Sequence, residues 1–136
     1  MIVSSGKGNV AAVKQALANN GPVSACFLVT GNFGGYTGGI YQEDNCAGID
    51  EGEANHCVGL VGYGLDSSYG EYFILRNSWG PGWGQGGYMK IASNNMCNIA
   101  SYVSYPLLTK SSVVTTTTQT TSTKTTTATS TTEGLI

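Results

Sequence analysis

Apolar residues near the start of the chain recur at the spacing of one helix face. Val10, Val13 and Leu17 are three and four residues apart, which matches the 3.6-residue period of an α-helix. Asn9 precedes them as a suitable N-cap, and the segment 19–22 (Asn-Asn-Gly-Pro) contains both a C-cap residue and a helix breaker. This pattern predicts an amphipathic helix from Val10 to Leu17.

The rest of the first hundred residues is typical of strands separated by glycine. Segment 31–39 holds five glycines and two aromatic residues, and we expect a loop that is too flexible to form core by itself. Because no long helix follows Leu17, the pattern favours an α+β fold with an antiparallel, barrel-like sheet and one short helix. Four apolar runs are the predicted strands: Val23–Thr30, Val58–Tyr63, Tyr72–Arg76 and Tyr88–Ala92.

The composition changes at Thr109. Of the 24 residues from Thr109 to Thr132, 18 are Thr or Ser, and such a segment has too little apolar surface to offset the entropy of ordering. We therefore expect one folded domain over residues 1–108 and a disordered tail over residues 109–136. The tail is either a passive extension or an O-glycosylated stalk.

Charge excludes some classes of function. Only six basic residues are present and the net charge is −2, so no basic patch favours a nucleic-acid or membrane-surface partner. The sequence contains no run of about 18 apolar residues that could span a membrane. The first 20 residues also lack the pattern of a secretory signal.

Five of the eight acidic residues fall within an eleven-residue segment. The simpler interpretation is a solvated acidic loop, and the alternative is a rim that biases which substrates approach a nearby cleft. The segment comprises Glu43, Asp44, Asp50, Glu51 and Glu53.

The single histidine, His56, precedes Asn77 by 21 residues. A thiol protease needs an imidazole beside its thiol and an amide that holds the tautomer of that imidazole. His56 lies in the run Asn55–Gly64, and Asn77 lies in the run Arg76–Gly80, between a cation and a tryptophan. The pair is therefore a candidate for the base and the orienting residue of such a site.

From Asn9 to Leu108 the sequence resembles the C-terminal half of papain-family, cathepsin-like cysteine peptidases. The resemblance rests on ten motifs that occur in the order of the family. They are Gly21-Pro22-Val23-Ser24, Gly38-Gly39-Ile40-Tyr41, Cys46, Asn55-His56-Cys57-Val58, Val61-Gly62-Tyr63-Gly64, Asn77-Ser78-Trp79-Gly80, Gly82-Trp83-Gly84, Gly86-Gly87-Tyr88, Cys97 and Ser104-Tyr105-Pro106.

The resemblance implies a role for each residue of the candidate site. His56 is the catalytic general base and acid, and Asn77 orients its ring. Trp79 covers the hydrogen bond between them and keeps water away from it, which strengthens the contact because the local dielectric falls. Trp83 supports this aromatic group. The resemblance implies no cofactor.

The resemblance also implies a substrate pocket, lined by Cys26, Ala54, Cys57 and Tyr102. Since none of the four is charged, we expect a pocket for medium apolar side chains. The Tyr102 ring would shorten it, and the Tyr102 hydroxyl could admit a polar end.

The four cysteines fall into two groups. Cys46 and Cys97 occupy contexts in which the family carries a disulfide. Cys26 and Cys57 are interpreted from their surroundings as buried free thiols that pack as small hydrophobic groups. A Cys57 nucleophile is disfavoured because adjacent side chains of a strand point to opposite faces. A metal site with His56 is disfavoured because no Cys-x-x-Cys pairing occurs.

The resemblance has one conspicuous gap. No Cys-Gly-Ser/Ala-Cys-Trp/Tyr stretch, the signature of the nucleophile, occurs in the chain. The first hypothesis is a cysteine endopeptidase that acts on peptides or proteins, with its nucleophile half in the same or another chain. The second is an inactive papain-like remnant that serves as a binding or structural module. A lysosomal, vesicular or extracellular location follows from the resemblance alone.

Overall fold

The computed structural model describes residues 2–4, 8–46 and 53–107. The predicted tail beyond Thr109 lies outside these residues. The described part contains one α-helix, too short to cross a membrane, and three single-turn 3₁₀ helices, Phe33–Gly35, Asp44–Cys46 and Met96–Asn98. The helix is α1 (Val10–Asn20), and the strands are β1 (Ile2–Ser4), β2 (Val23–Phe27), β3 (Ile40–Tyr41), β4 (His56–Asp66), β5 (Gly70–Arg76), β6 (Tyr88–Ala92) and β7 (Tyr102–Ser104).

The predicted helix is present and is one turn longer than expected. The side chain of Asn9 accepts a hydrogen bond from the backbone N–H of Ala12 at 3.0 Å, as an N-cap does. At the other end Gly21 has φ of 85° and donates its N–H to the carbonyl of Leu17, so the left-handed turn needs glycine. The buried face of α1 consists of Val13, Ala16 and Leu17.

The described strands form one sheet in the order β1-β7-β2-β4-β5-β6-β3. All neighbouring pairs are antiparallel except β3 with β6, which confirms the predicted α+β class. The sheet is open, with β1 and β3 at its edges. All four predicted strands are present, although β2 ends at Phe27 rather than Thr30. Strands β1, β3 and β7 have two or three residues, too few to show a sequence period.

The core lies against the inner face of the sheet. Burying one large apolar side chain contributes about 1.5–3 kcal/mol. Loop 31–39, which was predicted to be too flexible to form core by itself, contributes two rings to the shared core, because Phe33 is 1 % exposed and Tyr36 is 7 % exposed. Burying these two rings contributes more free energy than is lost by ordering the flanking glycines. The strand residues with 1 % exposure or less are Ala25, Phe27, Leu60, Phe73, Leu75, Met89, Ile91 and Val103.

A disulfide between Cys46 and Cys97 ties the 3₁₀ helix at Asp44–Cys46 to the 3₁₀ helix at Met96–Asn98. This is the pair that the resemblance implies, and both residues are buried. They are 51 positions apart in sequence. In the chain-entropy model a loop of this length contributes about 4 kcal/mol to stability.

Glu43 anchors the loop that carries Phe33. Its carboxylate accepts hydrogen bonds from the hydroxyls of Thr30 and Tyr41 at 2.7 and 2.9 Å. The side chain of Asn32 and the backbone N–H of Asn45 donate at 3.2 and 3.0 Å. Four donors compensate for burying the charge.

The interpretation of the acidic segment as a solvated loop is therefore wrong for Glu43, which is 7 % exposed. Four hydrogen bonds hold this carboxylate inside the fold, so it cannot act as a solvated surface charge. Asp44 and Glu53 are exposed as expected. Asp50 and Glu51 lie outside the described residues.

We expect Glu43→Gln to lower the free energy of unfolding by about 2–3 kcal/mol at neutral pH. The neutral amide loses the charge-assisted hydrogen bonds and turns a donor toward the donors that surround it. Urea unfolding of the purified chain measures the change. Asp44→Asn is the matched control, because Asp44 is exposed and next in sequence. Equal losses in both variants would contradict the assigned role of Glu43.

The same carboxylate links stability to pH. The hydrogen bond from Thr30, followed by that from Asn45, lowers the pKa of Glu43 from 4.5 to about 2. Because the pKa is lower in the folded state, this stabilisation is present above pH 4.5 and is lost as the pH falls toward 2. Urea unfolding of wild type and Glu43→Gln across this range should therefore show a shallower pH dependence for the variant.

Candidate active site

His56 begins strand β4, directly opposite Phe27 of β2. Its half-buried ring lies among three aromatic rings. The centroid distances are 6.2 Å to Phe27, 6.0 Å to Phe33 and 5.2 Å to Trp79. These contacts restrict the ring to one region of space, while its partial exposure leaves it open to a reacting group.

Asn77 reaches the ring from the end of the neighbouring strand. It follows Arg76, the last residue of β5, which pairs with Gly59 of β4. The backbone N–H of Asn77 donates to the carbonyl of Gly87 at 2.9 Å, and its side chain is 7 % exposed. Asn77 Oδ1 lies 2.9 Å from His56 Nε2. The structure therefore brings together the two residues predicted to be catalytic.

The hydrogen bonds of Asn77 define the tautomer of His56. The backbone N–H of Ser78 donates to Asn77 Oδ1 at 2.8 Å, and only the carbonyl oxygen of the amide can accept it. The atom that faces His56 is therefore an acceptor, so Nε2 must carry the proton that it donates. In the neutral ring Nδ1 then holds the free lone pair, and a base needs such a lone pair.

Both predicted supporting tryptophans lie beside this pair. Trp79 is tilted by 38° against the His56 ring and makes an edge contact with Trp83 at 5.6 Å. Phe33 contacts Trp79 at 5.4 Å and Trp83 at 5.0 Å. The turn closes tightly at Gly84, where φ is 56° and a Cβ atom would lie 2.6 Å from the carbonyl of Tyr88.

Two buried N–H donors at the site have no acceptor among the described residues. They are Nδ2 of Asn77 and Nε1 of Trp83. A buried donor without a partner costs about 1–3 kcal/mol. Trp79 is also 48 % exposed, although large aromatic residues are usually well covered. Trp79 therefore has apolar area left to offer a partner.

The four residues predicted to line a substrate pocket share one open cleft with His56. The cleft has a volume of about 480 Å³, within the usual range for ligand sites. Its lining contains no carboxylate, lysine or arginine. It is formed by Cys26, Ala54, Asn55, His56, Cys57 and Tyr102.

The prediction that Cys26 and Cys57 are buried free thiols is wrong. They form a disulfide between β2 and β4, where they are directly opposed in the antiparallel ladder with Cα atoms 4.0 Å apart. Cys57 is exposed and Cys26 is half-buried. With Cys46 and Cys97 also bonded, the chain has no free cysteine. An even cysteine count was a signal for two bridges.

Sequence reasoning also missed two supporting residues. Phe33 contacts His56 and both tryptophans, and its position in a glycine-rich loop concealed this role. Asn55 both donates to and accepts from the backbone of Val29, at 3.0 and 2.7 Å. Its place before the histidine was visible in the sequence, but its pairing with residues beyond β2 was not.

The described residues contain no group of three or more His, Cys, Asp or Glu able to hold a metal ion.

Comparison with known proteins agrees with this geometry. The family model described as papain family cysteine protease matches residues 2–107. The chain is 41 % identical over 109 residues to "Cathepsin L-like" of Caenorhabditis elegans, covering 78 % of this chain and 32 % of the relative. It is 42 % identical over 103 residues to "Cathepsin L" of Sarcophaga peregrina, covering 74 % and 30 %.

A solved structure gives the same result. Digestive procathepsin L 3 from Tenebrio molitor larval midgut superposes with a TM-score of 0.69 and 36 % identity, covering 79 % of this chain and 34 % of that one. The chain therefore spans about a third of the length of the proteins that it matches. The fold and the sequence identify the same group of proteins.

We expect Asn77→Ala to abolish the exchange-protected Nε2–H resonance of His56. The substitution removes the acceptor at 2.9 Å and costs about 1–3 kcal/mol of stability. Nitrogen-edited NMR is unambiguous here because the chain has one histidine. Ser78→Ala is the matched control, because Ser78 contributes only its backbone N–H. Persistence of the resonance in Asn77→Ala would contradict the assigned hydrogen bond.

Proposed function

The chain belongs to the papain family of cysteine proteases, and we propose that it supplies the histidine and asparagine of a Cys-His-Asn site that hydrolyses peptide bonds. The observation that carries the proposal is the 2.9 Å contact between His56 Nε2 and Asn77 Oδ1, on a ring that remains half-exposed. A buried structural pair would not need the ring edge to stay accessible.

His56 acts through Nδ1 in this proposal. Nδ1 takes the proton of a neighbouring thiol, and the imidazolium that results stabilises the thiolate. The thiolate attacks the peptide carbonyl carbon, and the same imidazolium then gives its proton to the leaving amine. Water hydrolyses the thioester by the reverse proton transfers and regenerates the thiol.

Asn77 and Trp79 are positioning residues. The Asn77 carbonyl accepts Nε2–H in both the neutral and the charged ring, so the ring keeps its direction through the cycle. Trp79 covers the pair and lowers the local dielectric. Trp83 supports Trp79 by the edge contact at 5.6 Å. No cofactor takes part in this chemistry.

The nucleophile comes from a segment that this sequence does not contain, in the same or another chain. The four cysteines form two disulfides, so none of them is the nucleophilic thiol. The half-exposed Trp79 supports a completing surface on that segment. By resemblance it is the amino-terminal half of a papain-like enzyme, and it also supplies the glutamine that donates to the oxyanion.

The substrate is a peptide or protein, one side chain of which enters the cleft beside His56. The lining holds the Tyr102 ring, the Ala54 methyl and the disulfide, so it favours medium apolar side chains. The hydroxyl of Tyr102 can pair with a polar end. The absence of a nucleic-acid partner stays a prediction.

The domain division at residue 108 and the cellular location are also proposals. Two disulfides favour an oxidising compartment, which is compatible with a vesicular, lysosomal or extracellular protein. The Thr-rich segment from residue 109 would then be a stalk or a passive extension of the domain.

A second candidate function is an inactive papain-like module that binds peptides without cleaving them. The observation that favours it is the bonding of all four cysteines. Peptide binding in the cleft without any turnover when a nucleophile-bearing segment is supplied would establish this alternative.

We expect His56→Ala to lower kcat by about 10³-fold when the chain is combined with a nucleophile-bearing segment, because the general base and acid are both lost. Hydrolysis of a fluorogenic dipeptide substrate measures the change. Tyr69→Ala is the control, since Tyr69 is 61 % exposed at the far end of the β4–β5 hairpin. Turnover by the chain alone that disappears in His56→Ala would contradict an external nucleophile.

A further inference from the structure

One row of side chains crosses three strands beside the site. Cys26 of β2 lies directly opposite Cys57 of β4 on one side and opposite Tyr102 of β7 on the other. Residues opposed in antiparallel strands point to the same face of a sheet. The disulfide and the tyrosine therefore lie in line on the face that lines the cleft.

The disulfide is the part of this lining whose covalent state can change. The amide of Asn55 is occupied by the backbone of Val29, and Ala54 has no polar side chain. A covalent bond between β2 and β4 fixes both sulfur atoms at the cleft wall. The other disulfide cannot play this role, because Cys46 and Cys97 are 9 % and 5 % exposed.

We propose that the Cys26–Cys57 disulfide is a reducible wall of the cleft, and that its reduction changes which substrate side chain the cleft accepts. The inference rests on the proposed function, in which this cleft receives a side chain of the peptide. The exposure of Cys57 supports it, since access controls the rate of thiol–disulfide exchange.

The reduction needs two equivalents of a small thiol, such as glutathione. The first thiolate attacks the sulfur of Cys57, the more exposed residue of the pair, which forms a mixed disulfide and releases Cys26 as a thiolate. A second thiolate attacks the sulfur of the bound reductant and releases Cys57. The two cysteine sulfurs gain two electrons and two protons, and the two reductant molecules leave as one disulfide.

Reduction of the Cys26–Cys57 disulfide enlarges the cleft. Two bonded sulfurs lie closer together than van der Waals contact, so two thiols in their place must move apart. Cys57 is exposed and can rotate toward solvent, which removes one sulfur atom from the wall. The oxidised cleft therefore suits a leucine-sized side chain and the reduced cleft a phenylalanine-sized one. A reductant that keeps a catalytic thiol from being oxidised would also reduce the Cys26–Cys57 disulfide.

The test begins with the selectivity of reduction in the 136-residue chain. Graded glutathione, alkylation and mass mapping should show that Cys26 and Cys57 are modified at a reductant concentration about tenfold lower than Cys46 and Cys97. Opening of Cys46–Cys97 first, or of both bonds together, would overturn the proposal.

The second step measures binding in the two redox states. Acetyl-leucine amide and acetyl-phenylalanine amide are titrated while NMR follows His56 and Tyr102. We expect reduction to shift the ratio of the two dissociation constants about tenfold toward phenylalanine, and reoxidation to restore it. Cys26→Ser combined with Cys57→Ser should reproduce the reduced state, and selective reduction of wild type provides the same comparison if that variant fails to fold.

An unchanged ratio overturns the redox inference and leaves the proposed peptidase function intact, because the cleft still binds. Failure of both ligands to bind in either state overturns the inference together with the assigned substrate cleft. The proposed catalytic role of His56 is tested separately by hydrolysis.

Discussion

The register between β2 and β4 is the constraint on which the site depends. It places His56 opposite Phe27, and one residue further it places Cys57 opposite Cys26. Asn55 extends the pairing past the end of β2 through its two hydrogen bonds to Val29. A slip of one residue would turn His56 to the other face of the sheet, away from Asn77. The disulfide and the Asn55 amide both oppose such a slip.

The loop that carries Phe33 packs against the site, and the buried carboxylate of Glu43 holds this loop in place. Glu43 gathers donors from both ends of the loop, and the loop carries Phe33 into contact with His56 and Trp79. The buried carboxylate of Glu43 thus holds the loop whose Phe33 contacts the His56 ring. Helix α1 packs against β1 and β4 and stabilises the domain by burying Val13, Ala16 and Leu17.

The sequence was informative where function constrains local motifs. Helix α1, four strands and the partnership of His56 with Asn77 could all be predicted, because hydrophobic periods and short motifs are local. The pairing of Cys26 with Cys57 could not, because it follows from the register of two strands that are distant in sequence. The burial of Glu43 could not either, because it depends on how the surrounding loop folds to bring four donors onto one carboxylate. Phe33 was missed for a related reason, since neighbouring glycines concealed the three-dimensional cluster of rings that it joins.

The central claim is that this chain contributes the base of a thiol protease whose nucleophile lies elsewhere. The most direct measurement is to treat the active protein from its natural source with a tagged epoxide inhibitor and to map the modified residue by mass spectrometry. We predict that peptidase activity is lost in step with modification of one cysteine outside the four at positions 26, 46, 57 and 97. Loss of activity in step with modification of any of these four, or full peptidase activity without any modified cysteine, would contradict the claim.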